Sequence, residues 1–177
     1  MGITKLRVAV LGTVAAALTF VGGIASAQES TNQVAAKTDW SVFEEPSPKE
    51  CWAVSTFKES LNTRNGAVVA VNRSQTLLMV FFRPDQKVNG QVTFTGGYPF
   101  KSGSTVGLKI DDKSYDLFTE GEWAWPQPED DAKIVAAMKR GKSAVLTGQS
   151  GRGTKTQDTF SLLGFTAAVD DASKRCS

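Results

Sequence analysis

Thr76-Leu77-Leu78-Met79-Val80-Phe81-Phe82 runs for seven residues without a charge, a glycine or a proline. That is too short for a helix to cross a bilayer. A run of β-branched, aromatic and aliphatic side chains of this length reads as a strand buried near the centre of a sheet. Short apolar runs punctuated by turn residues surround it on both sides, the pattern of an antiparallel β domain. Upstream, Trp40 to Phe43 and Cys51 to Phe57 read as strands parted by the Pro46-Ser47-Pro48 corner, and Asn65-Gly66 is a hairpin turn leading into Ala67 to Val71. Downstream, Asn89-Gly90 is expected to open a strand from Gln91 to Thr95. Thr105 to Ile110, Asp111-Asp112 and Ser114 to Phe118 form a further hairpin, with Tyr115 and Leu117 on one face. Ser143 to Gly148 and Thr159 to Leu163 complete about nine strand candidates.

Two helices interrupt the strands. Between Asp130 and Arg140 the apolar Ile134, Val135 and Met138 share one side, with Glu129, Asp130 and Asp131 at the start, Lys139 and Arg140 at the end, and Gly141 as a stop. This charge order complements the helix dipole. From Thr166 to about Lys174, the spacing of Val169, Ala172 and Cys176 turns the cysteine inward. With no linker or internal repeat, residues 28–177 read as one mainly β domain: an antiparallel β-sandwich or partly closed barrel with two short helices.

The chain begins with Lys5 and Arg7, an uncharged apolar stretch from Val8 to Ile24, and the small-x-small Ala25-Ser26-Ala27. This is the layout of a cleaved signal peptide, residues 1–27, with the mature chain starting near Gln28 and located in the periplasm or outside the cell. A stable membrane anchor fits less well, because the stretch is short and contains Gly12, Gly22 and Gly23. The full chain has 20 basic and 18 acidic residues, and the leader holds two of the basic ones. The mature net charge of zero gives no support for a nucleic-acid partner. Cys51 and Cys176 are the only cysteines, and in an exported chain they read as one structural disulfide, since a redox-active pair normally sits as Cys-x-x-Cys.

The chain contains no histidine. Every Ser-His or Cys-His nucleophile and every His-containing zinc site is therefore excluded. A carboxylate pair, a Ser-Lys pair or an all-oxygen metal site would survive that test. Gly141-Lys142-Ser143 imitates the end of a phosphate-binding loop, but position 136 is alanine where the upstream glycine belongs. Asp111-Asp112 and Glu129-Asp130-Asp131 lack the ligand spacing of a calcium loop and read as a solvated turn and a helix start. No metal or cofactor is expected. Asn72-Arg73-Ser74 fits the glycosylation tripeptide and carries no weight in a chain whose leader suits a bacterium.

Glu122-Trp123-Ala124-Trp125-Pro126 places both tryptophans on one face of an extended segment. Large aromatics in a small β domain mostly fill space, so a core position is the expectation. An exposed position would instead make a natural contact site. Charge is uneven nearby: residues 111–131 hold eight acids and one base, and residues 133–155 hold six bases and no acid. The candidate partner surface is Trp123 and Trp125 with Lys139, Arg140, Lys142, Arg152 and Lys155.

Several blocks carry a family resemblance. They are Ala35-Ala36-Lys37-Thr38-Asp39-Trp40, Glu50-Cys51-Trp52-Ala53-Val54-Ser55, Thr95-Gly96-Gly97-Tyr98-Pro99-Phe100, Ala136 to Gly141, Ser150-Gly151-Arg152-Gly153-Thr154, and Asp158 through Phe165. Together they resemble the invasion associated locus B (IalB) family of alphaproteobacteria, over nearly the whole mature chain. The resemblance implies an exported, β-rich envelope protein with no catalytic signature. It would bind an envelope or host-surface protein, and pathogenic relatives are linked to entry into erythrocytes. An envelope-maintenance role without a host is one alternative. A small-ligand carrier with a cavity lined by Phe81, Phe94 and Tyr98 is another.

Overall fold

The computed structural model describes residues 32–177, so the leader and its cleavage site lie outside the described residues. In chain order the strands are β1 (Gln33–Lys37), β2 (Trp40–Pro46), β3 (Lys49–Thr56), β4 (Glu59–Arg64), β5 (Ala67–Val68) and β6 (Leu77–Arg83). They continue with β7 (Val88–Thr95), β8 (Thr105–Ile110), β9 (Lys113–Glu120), β10 (Trp123–Trp125), β11 (Ser143–Gln149) and β12 (Lys155–Ser161). Helix α1 (Pro128–Met138) precedes β11, and α2 (Phe165–Arg175) follows β12. Every ladder is antiparallel, in one sheet of order β1-β2-β3-β6-β7-β10-β9-β8-β11-β12-β4-β5. Among the described residues no ladder closes the sheet. It folds over on itself where the chain leaves β3 and re-enters the far end as β4 beside β12, with Lys58 N–H donating to the Thr159 carbonyl at 2.7 Å.

The alternation of each strand fills the space inside this fold. Cys51 and Ala53 from β3, Leu78 and Val80 from β6, Val92 and Phe94 from β7, Leu117 from β9, Leu146 from β11 and Phe160 from β12 all belong to one buried cluster. In β6 the continuous apolar run meets two surroundings. Leu78, Val80 and Phe82 enter the core, while Leu77 and Phe81 sit half-buried on the opposite face. Both helices cover the core: Ile134, Ala137 and Met138 of α1 and Phe165, Ala168, Val169 and Ala172 of α2 are buried. Cys176 follows on the same stripe as Ala172, and its disulfide to Cys51, with Cα atoms 5.8 Å apart, fastens the end of α2 to β3. The indole of Trp40 locks the start of α2, donating to the Ser161 carbonyl at 2.9 Å and meeting the edge of Phe165 at 4.8 Å. Gly164 begins α2 at φ 88°, and a Cβ there would lie 1.9 Å from the Lys37 carbonyl oxygen, so only glycine fits.

Four strand expectations are corrected. Asn89-Gly90 is no turn; it lies inside β7 at a one-residue slip of register, where Phe81 faces Gln91 but Phe82 faces Asn89. The reversal is made earlier, by a 3-10 turn at Pro84–Gln86 that ends on a left-handed Lys87. The last strand is shifted from 159–163 to 155–161, because its inward positions begin with the polar Thr156 and Asp158 before reaching Phe160. The segment after Asn65-Gly66 pairs only over Ala67 and Val68, with residues 69–75 crossing the surface as a loop. The strand placed at 51–57 stops at Thr56, and Phe57 stands exposed at the fold-over.

Candidate functional site

The outer face of the sheet, opposite the core, carries an aromatic row. Phe43, Trp52 and Phe81 occupy registered positions on β2, β3 and β6. Their rings follow one another at 5.4 Å and 6.0 Å, the first pair stacked. Cross-strand pairing of this kind holds the rings in place. The Arg83 guanidinium lies 4.3 Å over the Phe81 ring and is anchored by Glu50 at 2.9 Å and Gln91 at 3.0 Å. Beyond it, Phe81, Arg83, Gln91, Thr93, Trp123 and Trp125 line a hollow of about 360 Å³. Trp125 meets the edge of Phe118 at 5.1 Å.

The core expectation for the two tryptophans is thus overturned. The short β10 turns only Ala124 inward, against the register position of Phe94, and Trp123 is 45% exposed. The basic residues of the expected surface fall elsewhere. Lys139, at the end of α1, pairs with Asp170 of α2 at 2.7 Å, and Arg140 and Lys142 lie exposed just after it. Arg152 and Lys155 lie beyond the other end of β11, whose seven residues span about 20 Å at the usual rise. Trp125 registers with Phe118, which faces Thr105, so the tryptophans sit toward the Arg152 end. The seven residues therefore occupy three neighbourhoods. Phe81, Phe94 and Tyr98 do not line a common cavity either: Phe94 is buried in the core, Phe81 is on the outer face and Tyr98 lines a separate cleft.

That cleft, about 380 Å³, is formed where the loop of residues 69–75, the turn after β7 and the β11–β12 turn meet. The strand-like bridge Phe100 to Ser150 and the bond from Gly151 N–H to the Pro99 carbonyl at 3.2 Å bring two of the family-resembling blocks together. Gly97, at φ 71°, makes the close crossing, since a Cβ there would lie 2.6 Å from the Ser74 carbonyl oxygen. Beneath it, Arg73 grips Asp158 with two parallel bonds of 2.8 Å and 2.7 Å. Asp158 is fully buried and Arg73 nearly so. Ser60 donates to Asp158 at 2.7 Å, and Arg73 Nε donates to the Gly96 carbonyl at 2.8 Å. The Tyr98 ring lies 5.2 Å from the guanidinium, and its hydroxyl bonds Thr156 at 2.6 Å. Burial pushes the Tyr98 hydroxyl above its ordinary range. Arg64 reaches the rim and donates to Thr154 Oγ1 at 2.7 Å through Nη2.

Sequence reasoning assigned no site role to Arg73 and Asp158, which stand 85 residues apart and entered only as the middle of the Asn72-Arg73-Ser74 tripeptide and the first residue of a family-resembling block. The available signal was an aspartate at an inward position of β12, alternating with Thr156 and Phe160. The acidic start of α1 also departs from expectation: Asp131 is half-buried, accepting the Val92 N–H at 2.7 Å, while Asp130 pairs with Lys133.

Among the described residues no helix is long and apolar enough to cross a membrane. Comparison with curated proteins gives no match. Among solved structures, the crystal structure of invasion associated protein b from Bartonella henselae is similar, with a TM-score of 0.53 at 18% identity, over 78% of this chain and 94% of that one. At this identity the likeness is one of fold. The sequence model of the invasion associated locus B (IalB) protein family matches residues 40–173, from the Trp40 that locks α2 almost to the disulfide that ends it, and the chain belongs to the IalB family.

Proposed function

We propose that this chain is an exported protein of the bacterial envelope that works by binding a protein partner and catalyses no reaction. The observation that carries the reading is the outer-face aromatic row ending in the exposed Trp123. Indole side chains give large, rigid contact area at little entropic cost, and exposed ones mark contact surfaces. Export is supported by the leader-like first 27 residues and by the Cys51–Cys176 disulfide, which persists in oxidising compartments. The absence of histidine supports a non-enzymatic role by removing the commonest proton-transfer side chain. The contact surface in this reading is Trp123, Trp125, Phe81 and Arg83. Lys139, Arg140 and Lys142, at the far end of β11, stand outside it. The partner in this reading is an envelope protein or, as the name of the Bartonella protein suggests, a host-surface protein.

Cross-linking of the tagged protein in its own cells, followed by mass spectrometry, tests this. Capture of an envelope protein that is lost in the folded Trp123→Ala, Trp125→Ala double variant is the expected result. A double variant that captures the same partners as wild type refutes the surface. Recovery of the protein from the cytoplasm with its leader intact refutes export.

A further inference from the structure

We propose that the cleft between residues 69–75, the turn after β7 and the β11–β12 turn is a binding site for a small hydroxylated carboxylate, a sugar acid, held at its rim by Arg64 and Arg152. The charges set the class of ligand. The cleft is lined by Arg64, Arg73, Arg152 and one acid, Glu122. Arg73 is neutralised from below by Asp158. One net positive charge is left, which suits a monoanion better than a phosphate dianion. Arg73, Arg83 and Arg175 are each committed to a carboxylate, whereas among the described residues neither Arg64 nor Arg152 forms an ion pair. A guanidinium is the side chain best shaped for a planar carboxylate, which it meets with two parallel bonds.

The remaining lining fits a polyol. Asn72, Ser74 and Ser150 are polar lining residues, from the loop of residues 69–75 and from the β11–β12 turn, and Val71, Tyr98 and Pro99 supply apolar surface. The volume of about 380 Å³ lies within the range of small-molecule sites and holds one or two sugar rings. The floor is also fixed in advance. Arg73 is held by Asp158, Ser60 and the Gly96 carbonyl, and Tyr98 by Thr156, so the cleft keeps its shape without a ligand and little ordering remains to oppose binding.

Sugar acids occur both in the bacterial wall and on host surfaces, and the probes separate these sources. Calorimetric titration of the purified protein would use N-acetylmuramic acid, N-acetylneuraminic acid and glucuronic acid, with N-acetylglucosamine as the neutral control and inorganic phosphate as the dianion. Saturable binding of at least one acid, tenfold or more tighter than the neutral sugar and than phosphate, is expected. Arg152→Gln should weaken it about tenfold at an unchanged melting temperature, since Arg152 makes no hydrogen bond or ion pair within the described residues. Arg64→Gln should weaken it to a similar degree, with a small fall in melting temperature because its bonds to Thr154 are lost, and Arg83→Gln on the outer face should leave binding unchanged. Muramic acid as the preferred probe assigns the site to the cell wall, and neuraminic acid assigns it to host glycans. No binding of any acid at millimolar concentration, equal binding of the neutral sugar, tighter binding of phosphate, or Arg152→Gln binding like wild type each overturns the proposal.

Discussion

The carboxylate of Asp131 accepts the backbone N–H of Val92 at 2.7 Å, so that helix α1 supplies a hydrogen-bond acceptor to β7 beyond the end of the short strand β10. An unpaired N–H in this half-buried place would be costly, and the side chain substitutes for a missing strand. The same burial raises the Asp131 pKa from its ordinary value to about 6, with the neighbouring Asp130 adding to the shift and the Val92 bond opposing it.

A raised folded-state pKa means that the folded protein holds this proton more tightly than the unfolded chain does. The stabilisation from Asp131 is therefore fully present below its unfolded pKa of about 4 and is lost as the pH rises through about 6. Asp131→Asn keeps the oxygen acceptor and removes the titration. Urea unfolding at a series of pH values should find the variant near wild type at pH 4 and more stable by about 1–2 kcal/mol at pH 7, after discounting for partial exposure. A difference that does not change with pH would contradict this assignment.

The Arg73 and Asp158 pair should show the asymmetry of a buried ion pair. Asp158→Ala leaves the guanidinium buried without its partner and should cost about 3–5 kcal/mol by denaturant unfolding. The double variant Arg73→Met, Asp158→Leu should recover much of that loss, because neither charge is then stranded. If the double variant were as unstable as the sum of Arg73→Met and Asp158→Leu made singly, the two side chains would not be coupled as the geometry requires.

Part of this arrangement was legible in the sequence and part was hidden, for identifiable reasons. The β6 run and the Asp111-Asp112 hairpin announced themselves because their apolar alternation agrees with their turn chemistry. Strands β1 and β4 did not, because Val34 and Leu61 point outward and most neighbours are polar, leaving no buried stripe to detect. The inward spacing of Cys176 was readable from its own helix, and so was a pairing between the only two cysteines. The cleft was not readable at all. Arg73, Tyr98, Arg152 and Asp158 come together only through the fold-over of the sheet and the crossing of loop 69–75, which no local periodicity encodes.

The disulfide closes a loop of 125 residues in sequence separation. On the chain-entropy account it disfavours the unfolded chain by about 5 kcal/mol. Replacing both cysteines with serine should lower stability by up to about that amount. It should also raise amide exchange in the last turn of α2, including the Cys176 N–H that donates to the Ala172 carbonyl at 3.2 Å. The first turn of α2, held by Trp40 and Phe165, should stay protected. Uniform loss of protection along the whole helix would show that the disulfide does more than fasten its end.

The two classes of tryptophan should separate in one experiment. Trp40 is buried, bonded to Ser161 and packed on Phe165, so Trp40→Ala should cost about 3–5 kcal/mol and release the start of α2. Trp123→Ala should change stability by less than about 1 kcal/mol, since its ring is 45% exposed, and it should reduce the fluorescence quenching by acrylamide, with Trp52 and Trp125 accounting for part of what remains. Trp125→Ala should fall between them, because its ring also supports Phe118. Equal destabilisation by Trp40→Ala and Trp123→Ala would return the outer row to a purely structural role and remove the ground for a contact surface there. The expected split leaves the Trp123 ring doing little for the fold, which is the physical condition under which its exposure calls for a partner.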